Sequence, residues 1–125
     1  MRTFDRHRSA VSEIGKELGG TTFSKAPFDI LTDDAKFFEV KCPSPRKGKH
    51  SSECRITVSE EERRFGEIMP LTFIILFKGK RYLIPFATLR NTLLKNRVNR
   101  HSFGNVIRED RQITLGKKFL ESLLK

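Results

Sequence analysis

Long apolar runs, cysteines and low-complexity segments are scarce in this sequence, and each scarcity excludes a class of protein. No window approaches the ~18 consecutive apolar residues of a membrane span, and residues 1–6 lack the apolar core of a signal peptide. Cys42 and Cys54 allow one disulfide but not a disulfide scaffold, and no CxxC pair accompanies the three histidines, which argues against a structural zinc site. We therefore expect a soluble, cytoplasmic protein.

The composition that is present is that of a folded, basic domain. Of 125 residues, 37% are hydrophobic and 11 are Phe, which is enough apolar surface for one small core and argues against disorder. Lys and Arg number 25 against 15 Asp and Glu, a formal net charge of +10. That charge predicts a polyanionic partner, because each phosphate that a Lys or Arg neutralises releases a condensed counterion. Nucleic acid is the leading candidate, an anionic membrane surface is the second, and a solvated basic face that serves solubility alone is the third.

The spacing of apolar, capping and turn residues predicts a mixed α/β (α+β) chain in the order α-β-β-β-α-β-β-α-α. Ser9 is the expected N-cap of the first helix, and Gly19 with Gly20 ends it. Ser59 and Glu62 form a predicted capping box. The predicted helices are 9–18, 59–68, 88–95 and 114–124. The predicted strands are 28–31, 36–42, 55–58, a central strand 71–77 and an edge strand 81–84. A basic loop is predicted over 43–53 and an irregular segment over 96–105.

The predicted hairpin, made of the first two strands, carries two acids and a base. Glu39 and Lys41 are two apart on one strand, so they share a face, about 6–7 Å apart at Cα, while the residues between and beside them point the other way. A three-residue loop pairs Asp29 with Glu39 and puts it on the same face. Two carboxylates and an ammonium then converge, and Mg²⁺ uses such carboxylates together with a phosphate. A metal there could activate water against a phosphodiester, with Lys41 orienting or deprotonating that water.

In this order and spacing the sequence resembles the PD-(D/E)XK nucleases. Their core is a helix that bears an acid, a hairpin that carries a Pro-Asp-like element and the (D/E)XK triplet, and then a further helix and strand. Within that superfamily the size and the triplet strand are most similar to those of the archaeal Holliday junction resolvases, small basic dimers that cut four-way DNA junctions. The matching residues, within about 9–89, are Glu13, Pro27 with Asp29, and the triplet Glu39-Val40-Lys41.

The resemblance implies a restriction-endonuclease-like fold, in which a central mixed β-sheet is flanked by helices. It implies one domain over 1–125, with its core at about 9–89 and a basic C-terminal helical extension at about 90–125. The activity implied is that of a Mg²⁺-dependent endodeoxyribonuclease, with Mn²⁺ as a substitute. The implied protein is a homodimer that acts on branched or duplex DNA in the nucleoid, with no membrane partner and no organic cofactor.

The resemblance also implies roles for particular residues. Asp29 and Glu39 are implied as catalytic metal ligands together with the Val40 carbonyl, and Lys41 as the water-orienting base. Glu13 is implied as a helix-borne catalytic acid that supports the metal or its water, with Glu17 as the alternative on the same helix face. The predicted DNA-binding side chains are Arg6, Arg8, Lys25, Arg46, Lys47, Lys49 and His50.

Each assignment has a structural alternative that the residues leave open. Asp29 can be a turn-capping acid, Lys41 a strand-end lysine, Glu13 a solvated helix residue, and the loop bases a basic loop without a defined contact. His7 and His101 have no partner spacing and are expected at the surface. At the level of function, the alternatives are a PD-(D/E)XK nuclease with a repair or restriction substrate, a non-catalytic basic nucleic-acid-binding domain, and an inactive protein-interaction module.

Overall fold

The computed structural model describes residues 3–90, 101–102, 105–106 and 112–124. Within these ranges the helices are α1 (Thr3–Leu18), α2 (Glu60–Ile68), α3 (residues 86–90) and α4 (Lys117–Ser122), and a 3₁₀ turn spans Gly48–His50. The strands are β1 (Thr21–Thr22), β2 (Ile30–Leu31), β3 (Phe37–Lys41), β4 (Cys54–Thr57), β5 (Leu71–Phe77), β6 (Lys80–Pro85), β7 (His101–Ser102), β8 (Asn105–Val106) and β9 (Gln112–Leu115). No helix in the described part of the chain has the length and apolarity needed to cross a membrane.

Five strands form a mixed sheet in the order β1-β2-β3-β5-β6, while β4 pairs with β9 and β7 with β8. Strand β3 is antiparallel to β2 and parallel to β5, and the chain returns from β3 to β5 through α2. The predicted mixed α+β class, a central mixed sheet flanked by helices, is confirmed at this level. The central position of β5 and the edge position of β6 are confirmed as well.

Helix α1 begins at Thr3 and not at Ser9, so the prediction of Ser9 as N-cap is wrong. The reason is that the buried stripe of Val11 and Ile14 continues one turn toward the N-terminus through His7, at the four-residue spacing of a helix face. The predicted end is confirmed. Gly19 has φ +64, a left-handed conformation that glycine adopts without strain, and its N–H donates to the Lys16 carbonyl.

The hairpin register is the predicted one. Ile30 lies opposite Phe38 and Leu31 opposite Phe37. The regular pairing ends there, since the Asp29 N–H donates to the Phe38 carbonyl, and the Asp29 side chain comes within hydrogen-bond reach of Glu39. Strand β2 is only two residues long, shorter than predicted, and its partner β3 continues beyond it to Lys41. On the β2 side, the last residues of β3 therefore have no neighbouring strand, and side chains can bond to their backbone groups.

Alternate residues of β3 enter two separate hydrophobic cores. Phe38 and Val40 pack with α1, whereas Phe37 packs on the opposite face of the sheet, which is also the face of α2. The α1-side core consists of Val11, Ile14, Ile30, Phe38, Val40 and Ile74. The opposite core includes Phe37, Ile56, Val58, Phe73, Ile75, Phe77, Ile84, Phe86, Ile113, Leu115 and Leu120.

The C-terminal segment differs from the prediction. The predicted helix 114–124 is wrong at its start, because residues 112–115 form β9, which pairs with β4, and the helix begins only at Lys117. The alternation of Ile113 and Leu115 with exposed polar residues is a strand pattern, and pairing with β4 buries both. Strand β4 lies one residue earlier than predicted and outside the main sheet. Residues 86–90 begin the helix predicted at 88–95; the rest of that helix, and most of the predicted irregular segment 96–105, lie outside the described residues.

The capping box of α2 is confirmed and gives a first prediction. The Ser59 hydroxyl accepts from the Glu62 N–H, and Glu62 accepts from the Ser59 N–H. We expect Ser59→Ala to lower the free energy of unfolding by about 1 kcal/mol, measured by urea denaturation. Ser9→Ala is the matched control and should leave stability nearly unchanged, because Ser9 lies inside α1; an equal loss in both variants would contradict the two capping assignments.

Candidate functional site

Five polar side chains meet where β2 has ended and β3 continues. Asp29, Glu39 and Lys41 come from the hairpin, as predicted. His7 comes from α1 and Glu62 from α2, and neither was predicted to be there. The cluster thus joins both helix layers to the strand that runs between them.

Asp29 caps the exposed backbone of β3. Its Oδ2 accepts a hydrogen bond of 2.9 Å from the Val40 N–H, and His7 Nε2 lies 3.3 Å from the same oxygen. Burial raises the pKa of the Asp29 carboxyl, but hydrogen bonds from His7, Glu39 and the Val40 amide outweigh burial, and the net pKa is lowered. Asp29 is therefore ionised at neutral pH. Asp29 thus makes a backbone-capping contact, as its structural alternative predicts, and it also contacts His7.

Glu39 is the most strongly perturbed group of the cluster. Its side chain is 13% exposed, and Lys41 Nζ lies 3.5 Å from its Oε2. Burial, together with interactions with Glu62 and Asp29, raises the pKa of Glu39 to about 11, against the smaller lowering effect of Lys41. The carboxyl is therefore neutral at pH 7 in the protein without a bound cation. Glu39 is protonated because Glu62 and Asp29 already bring negative charge to the cluster.

Lys41 is held mainly by Glu62. Its Nζ donates to both carboxylate oxygens of Glu62, at 3.0 and 2.9 Å, and Glu62 is only 6% exposed as a residue. Oε1 of Glu62 also accepts from the Ser59 N–H at the start of α2. One carboxylate thus caps the helix and fixes the lysine. The sequence predicted only the capping role of Glu62, and no local pattern indicated its contact with Lys41.

His7 is not a free surface residue, which corrects the prediction. Its Nε2 lies 2.9 Å from the Val40 carbonyl oxygen, and since a carbonyl only accepts, Nε2 carries the hydrogen. The hydrogen bond to Asp29 is the largest influence on the pKa of His7, and with the help of the Val40 carbonyl it raises that pKa against the opposing effect of burial. A usable signal was present in the sequence, because His7 lies four residues before Val11 on the buried stripe of α1.

The structure does not bring Glu13 to this cluster. Glu13 is exposed on α1, and Arg81 is the group on which its charge acts. Glu17, the alternative acid, is also exposed and forms an ion pair with Arg81 at 2.7 Å. The helix-borne acid that does reach the cluster is Glu62 of α2.

The predicted DNA-binding residues lie on two surfaces. Arg6, Arg8 and Lys25 are exposed on the α1 side, in α1 and in the segment between β1 and β2. In the loop after β3, Arg46 and His50 both contact Glu53, at 2.9 and 3.3 Å, so these two bases are held by an acid. Lys47 directly precedes the 3₁₀ turn and Lys49 lies within it, and both are exposed. The loop predicted over 43–53 is thus a closed turn, tied by a bridge between Pro45 and Cys54.

The cluster opens to solvent on its α1 side. A cavity of about 400 Å³ lies there, and its lining includes His7, Arg8, Ser12, Phe23 and Asp29. This volume is within the ~300–1,000 Å³ range of small-molecule pockets.

The residues that could hold a cation are the carboxyl groups of the cluster. Among the described residues, no group of three or more His, Cys, Asp or Glu side chains has the arrangement of a metal site. Asp29 and Glu39 are within hydrogen-bond reach of each other, and the Val40 carbonyl lies beside Asp29 through their shared contact with His7. Mg²⁺ is bound by one or two carboxylates and keeps several waters. Asp29 and Glu39 are therefore the carboxyl groups that could hold such a cation, while the Val40 carbonyl accepts a hydrogen bond from His7. The two cysteines, Cys42 and Cys54, are both free thiols.

Comparison with known proteins adds no relative to this geometry. The chain matches none of the protein-family models, curated proteins or solved structures with which it was compared. What the arrangement can do chemically therefore follows from its own groups: anionic oxygens that attract a cation, an ammonium fixed next to them, and an imidazole that donates to the same backbone.

Proposed function

We propose that this protein is a Mg²⁺-dependent DNA endonuclease of the PD-(D/E)XK kind, acting on branched DNA such as four-way junctions. The observation that carries the proposal is the convergence of Asp29, Glu39 and Lys41 at one end of the sheet, in a chain with a net charge of +10. Net charge alone favours binding of a polyanion, whereas buried acids within a basic protein favour chemistry at a phosphate.

The topology supports the restriction-endonuclease-like fold that goes with this proposal. A helix precedes the hairpin, the triplet lies on β3, and α2 leads to the parallel neighbour β5. The resemblance implied the same sequence of helix, hairpin, helix and strand; the chain adds β1 before the hairpin and has β4 outside the main sheet.

In this proposal the residues of the cluster have different roles. Asp29, Glu39 and the Val40 carbonyl would hold Mg²⁺, which when bound supplies Lewis-acid polarisation of the phosphate and a more acidic water. Lys41, fixed by Glu62, presents its ammonium next to the carboxylates, where it orients a water or stabilises charge that develops on the phosphate oxygens. His7 holds Asp29 and Val40 in place from α1.

The proposal extends to assembly and location. Two symmetric cuts in a junction need two active sites, so junction cleavage requires a homodimer with an isologous interface. A DNA substrate places the protein at the nucleoid. Mn²⁺ is expected to replace Mg²⁺, because both take carboxylate and water oxygens in octahedral geometry.

Cleavage assays on defined DNA test the proposal. Labelled duplex, single-stranded and four-way junction DNA are incubated with the protein in Mg²⁺ or in EDTA. We expect Mg²⁺-dependent cleavage of the junction, no cleavage by Glu39→Gln, and nearly unchanged DNA affinity of that variant, because phosphate contacts outside the cluster set the affinity.

Two results would redirect the assignment. If neither protein cleaves any substrate while both bind DNA, the enzyme hypothesis fails and a non-catalytic nucleic-acid-binding domain replaces it. If duplex DNA is cut as readily as the junction, the protein is a nuclease with a repair or restriction type of substrate.

A further inference from the structure

A second groove, separate from the acidic cluster, is lined by cations. It has a volume of about 510 Å³ and runs between the turn that joins β5 to β6 and the segment that follows β3. The walls combine a basic side with an apolar side. The lining residues are Arg6, Cys42, Pro43, Pro45, Leu76, Lys78, Gly79, Lys80 and Arg81.

The charge of this groove is of one sign. Its described lining holds four cationic side chains and no acid. Arg6 donates to the Cys42 carbonyl, which fixes its guanidinium at the groove without neutralising it. Arg81 is paired with Glu17 from outside the lining. Lys78 and Lys80 are exposed, and the Lys78 ammonium lies 5.8 Å from the centre of the Phe77 ring.

The turn that presents these lysines is conformationally demanding. Lys78 has φ +50 and Gly79 has φ +74, the pattern of a two-residue type I′ hairpin turn. Asn-Gly is the favoured pair in such turns, and a lysine in the left-handed region costs roughly 1 kcal/mol. The sequence thus has a strained lysine where Asn, Asp or Gly is favoured, and the turn presents its ammonium at the groove.

The groove adjoins the acidic cluster along the chain on two sides. Arg6 directly precedes His7 in α1, and Cys42 directly follows Lys41 at the end of β3. Cys42, which lines the groove, packs on the α1 side of the sheet, and the charges of both Arg6 and Asp29 act on the pKa of its thiol. The groove therefore lies near the Asp29 side of the cluster. Apolar walls of proline and leucine beside the cations suit a sugar–phosphate chain, which alternates apolar and anionic surface.

We propose that this groove binds the sugar–phosphate backbone of DNA next to the bond held at the acidic cluster. The proposal rests on the proposed nuclease function for the position of the bond. Lys78 and Lys80 supply the charge, and Arg6 sets the edge nearest to the cluster. Neither lysine belongs to the DNA-binding set predicted from the sequence.

The test compares two double variants that each remove two positive charges. Lys78→Asn with Lys80→Gln removes the groove lysines and gives the turn its favoured Asn-Gly pair, so the fold is preserved. Lys117→Gln with Lys118→Gln removes two exposed lysines at the start of α4. Affinity for a labelled duplex and a four-way junction is measured by fluorescence anisotropy at NaCl concentrations from about 50 to about 200 mM.

We expect the groove variant to lower the slope of log K against log salt by about 2, since each phosphate contact contributes about 0.9. At about 100 mM salt its affinity should fall roughly tenfold or more, and the α4 control should keep the wild-type slope. Equal effects of the two variants would mean that net charge alone is responsible and would overturn the proposal. An unchanged slope for the groove variant would overturn it as well.

Two further measurements distinguish DNA binding by the groove from membrane binding and from the nuclease function itself. Vesicles with about 30 mol% phosphatidylglycerol are titrated with the same proteins, and a groove variant that loses vesicle binding but keeps its DNA slope would assign the groove to a membrane surface and overturn the proposal. Cleavage is scored separately. If the slope falls as expected but wild-type protein cuts no DNA, the groove stands as a DNA contact and only the nuclease function fails.

Discussion

Replacing Lys41 with methionine is expected to lower the free energy of unfolding by about 3 to 5 kcal/mol, the usual cost of removing one partner from a buried ion pair. The side chains of Lys41 and Glu62 are 19% and 8% exposed, and the ammonium contacts Glu62 and Glu39. Without it, buried carboxyl groups face each other with no cation between them. Urea denaturation at pH 7 measures the loss.

A second change identifies the cause. Glu62→Gln removes the negative charge but keeps the capping box, because Gln at this position also accepts from the N-cap N–H. Lys41→Met with Glu62→Gln should therefore recover at least half of the lost stability, a coupling that a double-mutant cycle measures. Lys36→Met is the matched control, since its partner Asp34 is 61% exposed and the pair is worth under about 1 kcal/mol. Strict additivity of the two changes would contradict the buried pair.

The same double variant separates stability from catalysis. It is expected to fold with restored stability and, under the proposed function, to bind DNA but not to cleave it, because it lacks the ammonium proposed to orient the water. Cleavage at the wild-type rate by this variant would show that Lys41 has only a structural role. The single variant cannot make this distinction, since its low stability alone could remove activity.

Local patterns allowed part of the cluster to be predicted. Alternation along a strand fixes which side chains share a face, and loop length fixes the hairpin register, so Asp29, Glu39 and Lys41 followed from neighbouring residues. The capping box of α2 is equally local, because its contacts span three residues. In each case the determining interaction lies within a few residues of the group that it places.

The remaining members depend on contacts between distant segments. Glu62 reaches Lys41 across 21 residues and His7 reaches Val40 across 33, and both contacts require a helix to pack on the sheet in one particular way. Strand β9 was missed for the same reason, since its partner β4 is more than fifty residues earlier. A single sequence shows that a helix or strand can form, but not which strand it lies against.

Glu39 gives the second large prediction, which concerns pH and cations. Its pKa is raised in the folded protein, so it is protonated in the fold and ionised in the unfolded chain above about pH 4.5. Stability from this group is complete below that pH and is lost as the pH rises toward 11. The free energy of unfolding of wild type should thus fall between about pH 5.5 and 8, and Glu39→Gln should be more stable than wild type at pH 8 by up to about 5 kcal/mol, at about 1.4 kcal/mol for each pH unit above 4.5.

Other groups do not produce this difference. The lowered pKa of Asp29 affects stability only in acid, as the pH falls below about 3.8. The raised pKa of His7 lowers stability as the pH rises through it, but this effect is present in both proteins and cancels in the comparison. A gap between wild type and Glu39→Gln that does not widen from about pH 5.5 to 8 would contradict a neutral Glu39.

A cation that displaces the proton from Glu39 should restore part of the stability that wild type loses as the pH rises. With MgCl₂ at about ten times its dissociation constant, wild type at pH 8 should gain about 1.4 kcal/mol, while Glu39→Gln, which has one carboxylate fewer, should gain little. The gain should shrink at about pH 5.5, because proton and metal compete for the same oxygens. NaCl at matched ionic strength controls for screening. Equal stabilisation of both proteins by Mg²⁺ would place the cation away from Glu39, whatever the cleavage assay shows.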